Sequence, residues 1–275
     1  MKLSVLVENT SSLGLPVEHG LSLHILLNDG EAFLFDVGQS DLFVRNAERM
    51  DVDLSEVSFA ILSHGHYDHG GGLRVLTALR PALPIYLHRQ AFAPHYSLRP
   101  KGLSYIGLDK QWQKDELMTD DWRFCEGETE VCKGVRLFSN VKGAVCCPPG
   151  NKLLFADEHG LADPFTDEQN VLISEGNNLV LIAGCAHAGI INIMQRAEEL
   201  TGKRLTHVVA GFHLMKMGLS KEEEETFMQR FVDELKQRKC MYYTLHCTGM
   251  EAYERLRDEL GEQIAYLSCG EQIYI

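Results

Sequence analysis

The chain has 275 residues, with 26 Lys and Arg against 39 Asp and Glu, a formal net charge of −13 with histidine neutral. Its 45% hydrophobic and 24% charged residues are a globular composition, which excludes a disordered, collagen-like or disulfide-scaffold chain. The acidic balance counts against a protein that coats nucleic acid, since that binding needs Lys and Arg to neutralise phosphates. No apolar run approaches the 18 or so residues of a membrane span. The opening MKLSVLVENTSSLG reads as a first strand and not as an export signal. Eight cysteines without a Cys-x-x-Cys pair then point to reduced thiols and a cytoplasmic protein.

In chain order, residues 21–27 and 31–36 flank Asn28-Asp29-Gly30 as a hairpin. Ser40 to Met50 has helical spacing. Val57 to Leu62 is a short strand running into Ser63-His64-Gly65-His66, and Gly70-Gly71-Gly72 precedes a helix stopped by Pro81. Pro84 to His88 is a further strand. Residues 89–134, with both tryptophans and the acidic DELMTDDW run, read as an insertion of helical and loop pieces, a lid or substrate wall. Val135 to Ser139 returns to strand, and Cys146 to Gly150 is a rigid turn. Two strands at 170–175 and 178–184 are joined through Asn177-Asn178. A helix at about 189–200, a strand ending at Phe212-His213, a helix capped by Ser220 with Glu223, a strand ending at His246, a helix at about 250–260 and a strand near 264–267 complete the pattern. The alternation is α/β, without repeat or linker, so one domain over 1–275 is expected.

The chemistry lies in His64-Gly65-His66-Tyr67-Asp68-His69, an H-x-H-x-D-H pattern at a strand end, where α/β folds build their sites. Three imidazoles and a carboxylate within six residues cannot all reach one tetrahedral ion that keeps an open position. They divide well between two ions, His64 and His66 on one, Asp68 and His69 on the other. Two ions about 3.5–4 Å apart clamp a bridging hydroxide. The remaining ligands belong at other strand ends. His187 and His246 are assigned there as ligands. His213 is left between ligand, substrate contact and a residue that orients a ligand. Cys185 and Cys247 adjoin these positions; small buried thiols in tight turns are the favoured reading, with metal or redox involvement the alternative. His19, His24, His88, His95, His159 and His207 lack a partner pattern and are taken as packing or surface, although His95 and His159 lie in loops that can line a pocket. Arg89, Arg99 and Lys101 are read as surface charge, with neutralisation of a substrate phosphate the alternative.

These motifs resemble the metallo-β-lactamase fold superfamily, over most of the chain. More closely, FDVGQSDLFVRNA, SHGHYDHGGGL, GCAHAGIINI, GFHL and HCTG occur in the order of its 7,8-dihydropterin-6-ylmethyl-4-(β-D-ribofuranosyl)aminobenzene 5'-phosphate synthase-like subfamily. The resemblance implies a four-layer αββα sandwich with a dinuclear site at one edge, and makes Asp36 a supporting aspartate. The chain departs from the superfamily where Gly-Cys-Ala-His-Ala-Gly carries the third histidine and where a bridging aspartate is not evident. Cys185, His213, Asp163 and Asp167 are all candidates for that bridge. The expected activity is a metal-dependent hydrolase acting on a small, phosphorylated ester through a metal-activated hydroxide. Its metal ligands are His64, His66, Asp68, His69, His187 and His246, with Asp68 and His213 in catalytic roles. Two divalent ions are expected, zinc first, with manganese and iron as alternatives. The expected partner is a small anionic substrate, with no membrane or nucleic acid; a homo-oligomer is left open. The alternative activities are an iron-dependent redox enzyme of the same fold and a pterin-pathway synthase.

Overall fold

A computed structural model describes residues 1–113 and 121–275. Strand β1 (Lys2–Val7) is followed by the hairpin of β2 (Ser22–Leu26) and β3 (Ala32–Phe35), with Leu26 opposite Ala32. Helix α1 (Leu42–Arg49), β4 (Phe59–Ile61), the single turn α2 (Tyr67–Gly70), α3 (Leu73–Leu79) and β5 (Ile85–Leu87) come next. Then follow β6 (Tyr96–Arg99), β7 (Gly102–Tyr105), β8 (Trp122–Phe124), β9 (Glu128–Cys132), β10 (Val135–Ser139), β11 (Leu154–Phe155), β12 (Gln169–Glu175) and β13 (Asn178–Ala183). The chain ends with α4 (Ile190–Thr201), β14 (His207–Ala210), α5 (Lys221–Lys236), β15 (Met241–Thr244), α6 (Met250–Leu260), β16 (Ile264–Tyr266) and β17 (Gln272–Tyr274).

Two mixed sheets form, ordered β17-β1-β2-β3-β4-β5-β8 and β16-β15-β14-β13-β12-β10-β9. Their inner faces bury Leu3, Val5, Ile25, Phe33 and Phe35 against Val171, Ile173, Val180 and Ile182. Phe43 of α1 and Leu76 of α3 cover the outer face of the first sheet. Ile193, Phe231 and Leu256 of α4, α5 and α6 cover that of the second. The layering is therefore αββα, as expected. A fully buried large apolar side chain stabilises by about 1.5–3 kcal/mol, whereas a surface ion pair such as Lys236–Glu259 is worth about 0–1 kcal/mol; the three apolar layers dominate. Among the described residues no helix is long and apolar enough to cross a membrane.

Residues 89–134 differ from the expectation. Their helical content among the described residues is two short 3-10 turns, Arg89–Phe92 and Lys110–Gln113, and the rest is mainly strand. β8 and β9 are edge strands of the two main sheets, and β6 and β7 join β11 in a separate three-stranded sheet. These strands are short and partly exposed, so they lack the apolar alternation that identifies a strand. Residues 115–120 of the acidic run lie outside the described residues. The turn between β12 and β13 is Gly176-Asn177, because Glu175 pairs with Asn178 and Gly176 takes φ 59°. The C-terminal strand β17, against β1, was not expected.

The parallel strands set up the site. β3, β4, β5 and β8 run parallel in one sheet, and β13, β14, β15 and β16 in the other. Asp36 follows β3, Ser63 to His69 follow β4, Cys185 and His187 follow β13, His213 follows β14, and His246 follows β15. Asp36, Ala186, His213 and His246 all have φ between 51° and 57°. This left-handed backbone costs a non-glycine residue about 1–3 kcal/mol and clusters at functional sites.

Candidate metal centre

The H-x-H-x-D-H segment enters the site through tight turns. Gly65 is required there because a Cβ would run into the Ala91 carbonyl oxygen. Gly65 N–H donates to Asp167 at 2.6 Å, and Tyr67 N–H donates to Ile106 at 2.8 Å. The latter bond and the His66–Gly107 bridge tie the segment to the chain beside the three-stranded sheet.

The structure brings His64, His66, Asp68, His69, His187 and His246 together, all buried. The His64 ring centroid lies 4.4 Å from His66, 4.1 Å from His69 and 5.0 Å from His187. The His69 ring lies 4.9 Å from His246. Asp68 Oδ2 is 3.5 Å from His246 Nε2.

Four of these imidazoles have their tautomer fixed by an oxygen on Nδ1. Ser63 Oγ donates its one hydrogen to Asp36 at 2.7 Å, so it accepts from His64 Nδ1 at 2.8 Å. Asp36 accepts from His69 Nδ1 at 2.6 Å. Asn151 Nδ2 donates to the His187 carbonyl, which turns its Oδ1 to His187 Nδ1 at 3.0 Å. Asn9 does the same for His246, with Oδ1 at 2.9 Å from Nδ1. In the neutral imidazole each arrangement leaves Nε2 as a lone pair, as a metal-ligating histidine requires. His66, His187 and His246 Nε2 are buried with no hydrogen-bond partner. A buried orphan of this kind costs about 1–3 kcal/mol, and a divalent ion supplies what each lacks. The residues present therefore fit a metal.

Electrostatics agree for His64, His66 and His187. Burial, with His69 next, holds His64 neutral well below the usual histidine range, and burial reinforced by His95 takes His66 to about 3. Burial and the neighbouring His213 do the same to His187. Neutral imidazoles are the ligating form. Burial disfavours the Asp68 carboxylate, but His19 Nε2 at 3.1 Å and His246 Nε2 at 3.5 Å outweigh it and hold the group ionised. His246 differs: burial opposes its charge, but the Asp68 carboxylate 3.5 Å from Nε2 outweighs burial and raises it to about 9, so an ion bound there would displace a proton.

His213 lies beside His187, with ring centroids 4.5 Å apart. Of the bridge candidates, Cys185 is the most central. Its Sγ is 3.2 Å from His69 Nε2, and it falls into three sets of mutually close donor atoms, with His64 and His187, with His69 and His246, and with His213 and Cys247. Asp163 is instead engaged by His95 Nδ1 at 2.7 Å, and Asp167 by Gly65 N–H.

Two histidines taken as packing or surface belong to this cluster. His19 Nε2 lies 3.1 Å from Asp68 Oδ2. His95 is buried, its ring 5.1 Å from His66, and Asp163 keeps its pKa raised against the opposing effect of burial. Glu168 was also missed: its carboxylate accepts the N–H groups of His187 and Ala188, and burial pushes it up to about 7. No local spacing marks these three; their partners are distant in sequence.

The model of the metallo-beta-lactamase superfamily matches residues 20–139. A solved structure, Tm1679, a metal-dependent hydrolase of the beta-lactamase superfamily, is 31% identical with a TM-score of 0.79, covering 100% of this chain and 99% of that one. The uncharacterized protein MJ0448 of Methanocaldococcus jannaschii is 29% identical over 92% of this chain and 93% of its own length. The 7,8-dihydropterin-6-methyl-4-(beta-D-ribofuranosyl)-aminobenzene-5'-phosphate synthase of the same organism is 24% identical over 99% and 96%. With the αββα layering and the histidine cluster at the strand ends, these similarities identify the chain as a member of the metallo-beta-lactamase superfamily and an enzyme of that fold.

Proposed function

We propose that the chain is a metal-dependent hydrolase of a small anionic ester, a phosphomonoester or phosphodiester first. In this reading His64, His66 and His187 hold one divalent ion, and Asp68, His69 and His246 a second. Zinc is the ion expected, with manganese and iron as alternatives. The observation that carries the reading is the set of four buried imidazoles whose Nδ1 atoms are tied to oxygen, which leaves Nε2 of each free to ligate. Bound ions would lower the pKa of a water toward about 7 and polarise the ester oxygen.

The chain's residues do the rest. Asp36, Ser63, Asn151 and Asn9 hold the imidazoles in the ligating tautomer. Asp68, kept ionised, accepts a hydrogen bond from the attacking water and orients it. His213, whose Nδ1 is buried without a partner, donates to the negative charge that develops on the substrate oxygen. An anionic substrate is in keeping with the metal positions, which when occupied would attract an anion locally although the chain averages −13. The Methanocaldococcus synthase is named for a phosphate ester, in keeping with a phosphorylated ligand. A cytoplasmic location, expected from eight cysteines without a Cys-x-x-Cys pair, belongs to the same reading.

A panel of phosphomonoesters, phosphodiesters and carboxylic esters, run on wild type and His66→Ala, tests the proposal. Phosphoester turnover that falls at least about 100-fold in the variant is expected. Equal turnover by both proteins, or turnover of carboxylic esters alone, contradicts it. A second reading, a pterin-pathway synthase, is favoured by the near full-length similarity to the synthase and predicts no simple ester turnover.

A further inference from the structure

The histidine cluster is backed by two thiols, beside His213, that the hydrolase reading does not use. β13, β14 and β15 lie side by side and parallel, and their ends deliver Cys185, His213 and Cys247. One donor atom from each of the three falls within 4.8 Å of the others. Both cysteines are buried and free. Cys247 Sγ is wedged against Gly211, where a Cβ would overlap the sulfur, so the end of β14 is shaped around it. Cys185 Sγ also reaches His69 Nε2 at 3.2 Å. His213 keeps a left-handed backbone, φ 51°, and a buried Nδ1 without a partner. Small thiols that merely fill tight turns need no imidazole beside them; these two have His69 and His213.

We propose that Cys185 and Cys247 contribute thiolate ligation to the metal centre, so that it selects a thiophilic divalent ion of the zinc class over manganese or magnesium. The proposal rests on the reading of the histidine cluster as a metal centre and adds the donor type that sets ion selectivity. Thiolates favour zinc, iron and copper, whereas manganese and magnesium prefer oxygen donors. Imidazoles already favour zinc over manganese, and thiolates sharpen that preference.

The test is zinc K-edge X-ray absorption on the full chain loaded with zinc, with bound zinc measured on the same sample. A sulfur shell at about 2.3 Å beside a nitrogen and oxygen shell at about 2.0–2.1 Å is expected. Cys185→Ser and Cys247→Ser should each reduce the sulfur contribution, and an excess of manganese should leave zinc in place. Bound zinc with only nitrogen and oxygen neighbours overturns the thiolate proposal and leaves the histidine centre standing. A sulfur shell unchanged in Cys247→Ser overturns the part given to Cys247. A chain that retains no zinc overturns the metal-centre reading and this proposal with it. If a variant fails to fold, the wild-type spectrum still decides.

Discussion

Asp36 holds the cluster together one step behind the imidazoles. Its carboxylate accepts from His69 Nδ1, from the Ser63 hydroxyl and from Ser63 N–H, so it orients His69 directly and His64 through Ser63. Partners of this kind are worth about 10–100-fold in metal affinity. Asp36→Ala is therefore expected to weaken zinc binding by about that factor in a chelator competition; unchanged affinity would remove Asp36 from the site. His24 lies outside the cluster and carries a pH effect. Burial, helped by Lys2, lowers it to about 4 from 6.5. The unfolded chain thus binds the extra proton first as pH falls. Stability is unaffected above about pH 6.5 and declines through the window down to about 4, by up to about 3 kcal/mol. Denaturant titrations across that window should show a shallower decline in His24→Gln; identical slopes would contradict the assignment. At this scale, H-x-H-x-D-H was legible because its ligands share one turn. Asn9 and His246 are 237 residues apart, and His95 and Asp163 are 68 apart. Such pairings arise from topology and leave no local pattern.

Among the elements, those with a strong period or a cap were readable. Helix α5 carries the anticipated capping box, Ser220 with Glu223. Ser220→Ala should cost about 1 kcal/mol, read as a lower melting temperature with metal content unchanged; a loss of metal would mean that α5 is coupled to the site. The turn after β4 is less forgiving. Gly65→Ala must move the Ala91 carbonyl or the turn, and overpacking of this kind costs about 1–3 kcal/mol. Reduced stability together with reduced zinc binding is expected, whereas a neutral Gly65→Ala would contradict the packing described. The strands of 89–134 were hidden for the opposite reason. β6 and β7 pair in a small sheet whose faces are half open to solvent, so neither periodicity nor apolar content distinguishes them from loops.

Over the whole molecule, ligand candidates from His64 to His246 meet because two sheets turn the ends of their parallel strands toward one edge. The expectation of an αββα sandwich rested on motif order, and the three apolar layers give it a physical basis. An ion held by segments of both sheets stabilises the folded chain alone. Free metal at 100 times its dissociation constant adds about 2.7 kcal/mol, so chelation should lower the melting temperature and added zinc should restore it. The most direct measurement of the central claim is phosphoester turnover by the full chain before chelation, after it, and after zinc is returned. Activity that disappears with the metal and returns in proportion to the zinc bound is expected. Activity that survives complete metal removal would contradict a metal-dependent hydrolase.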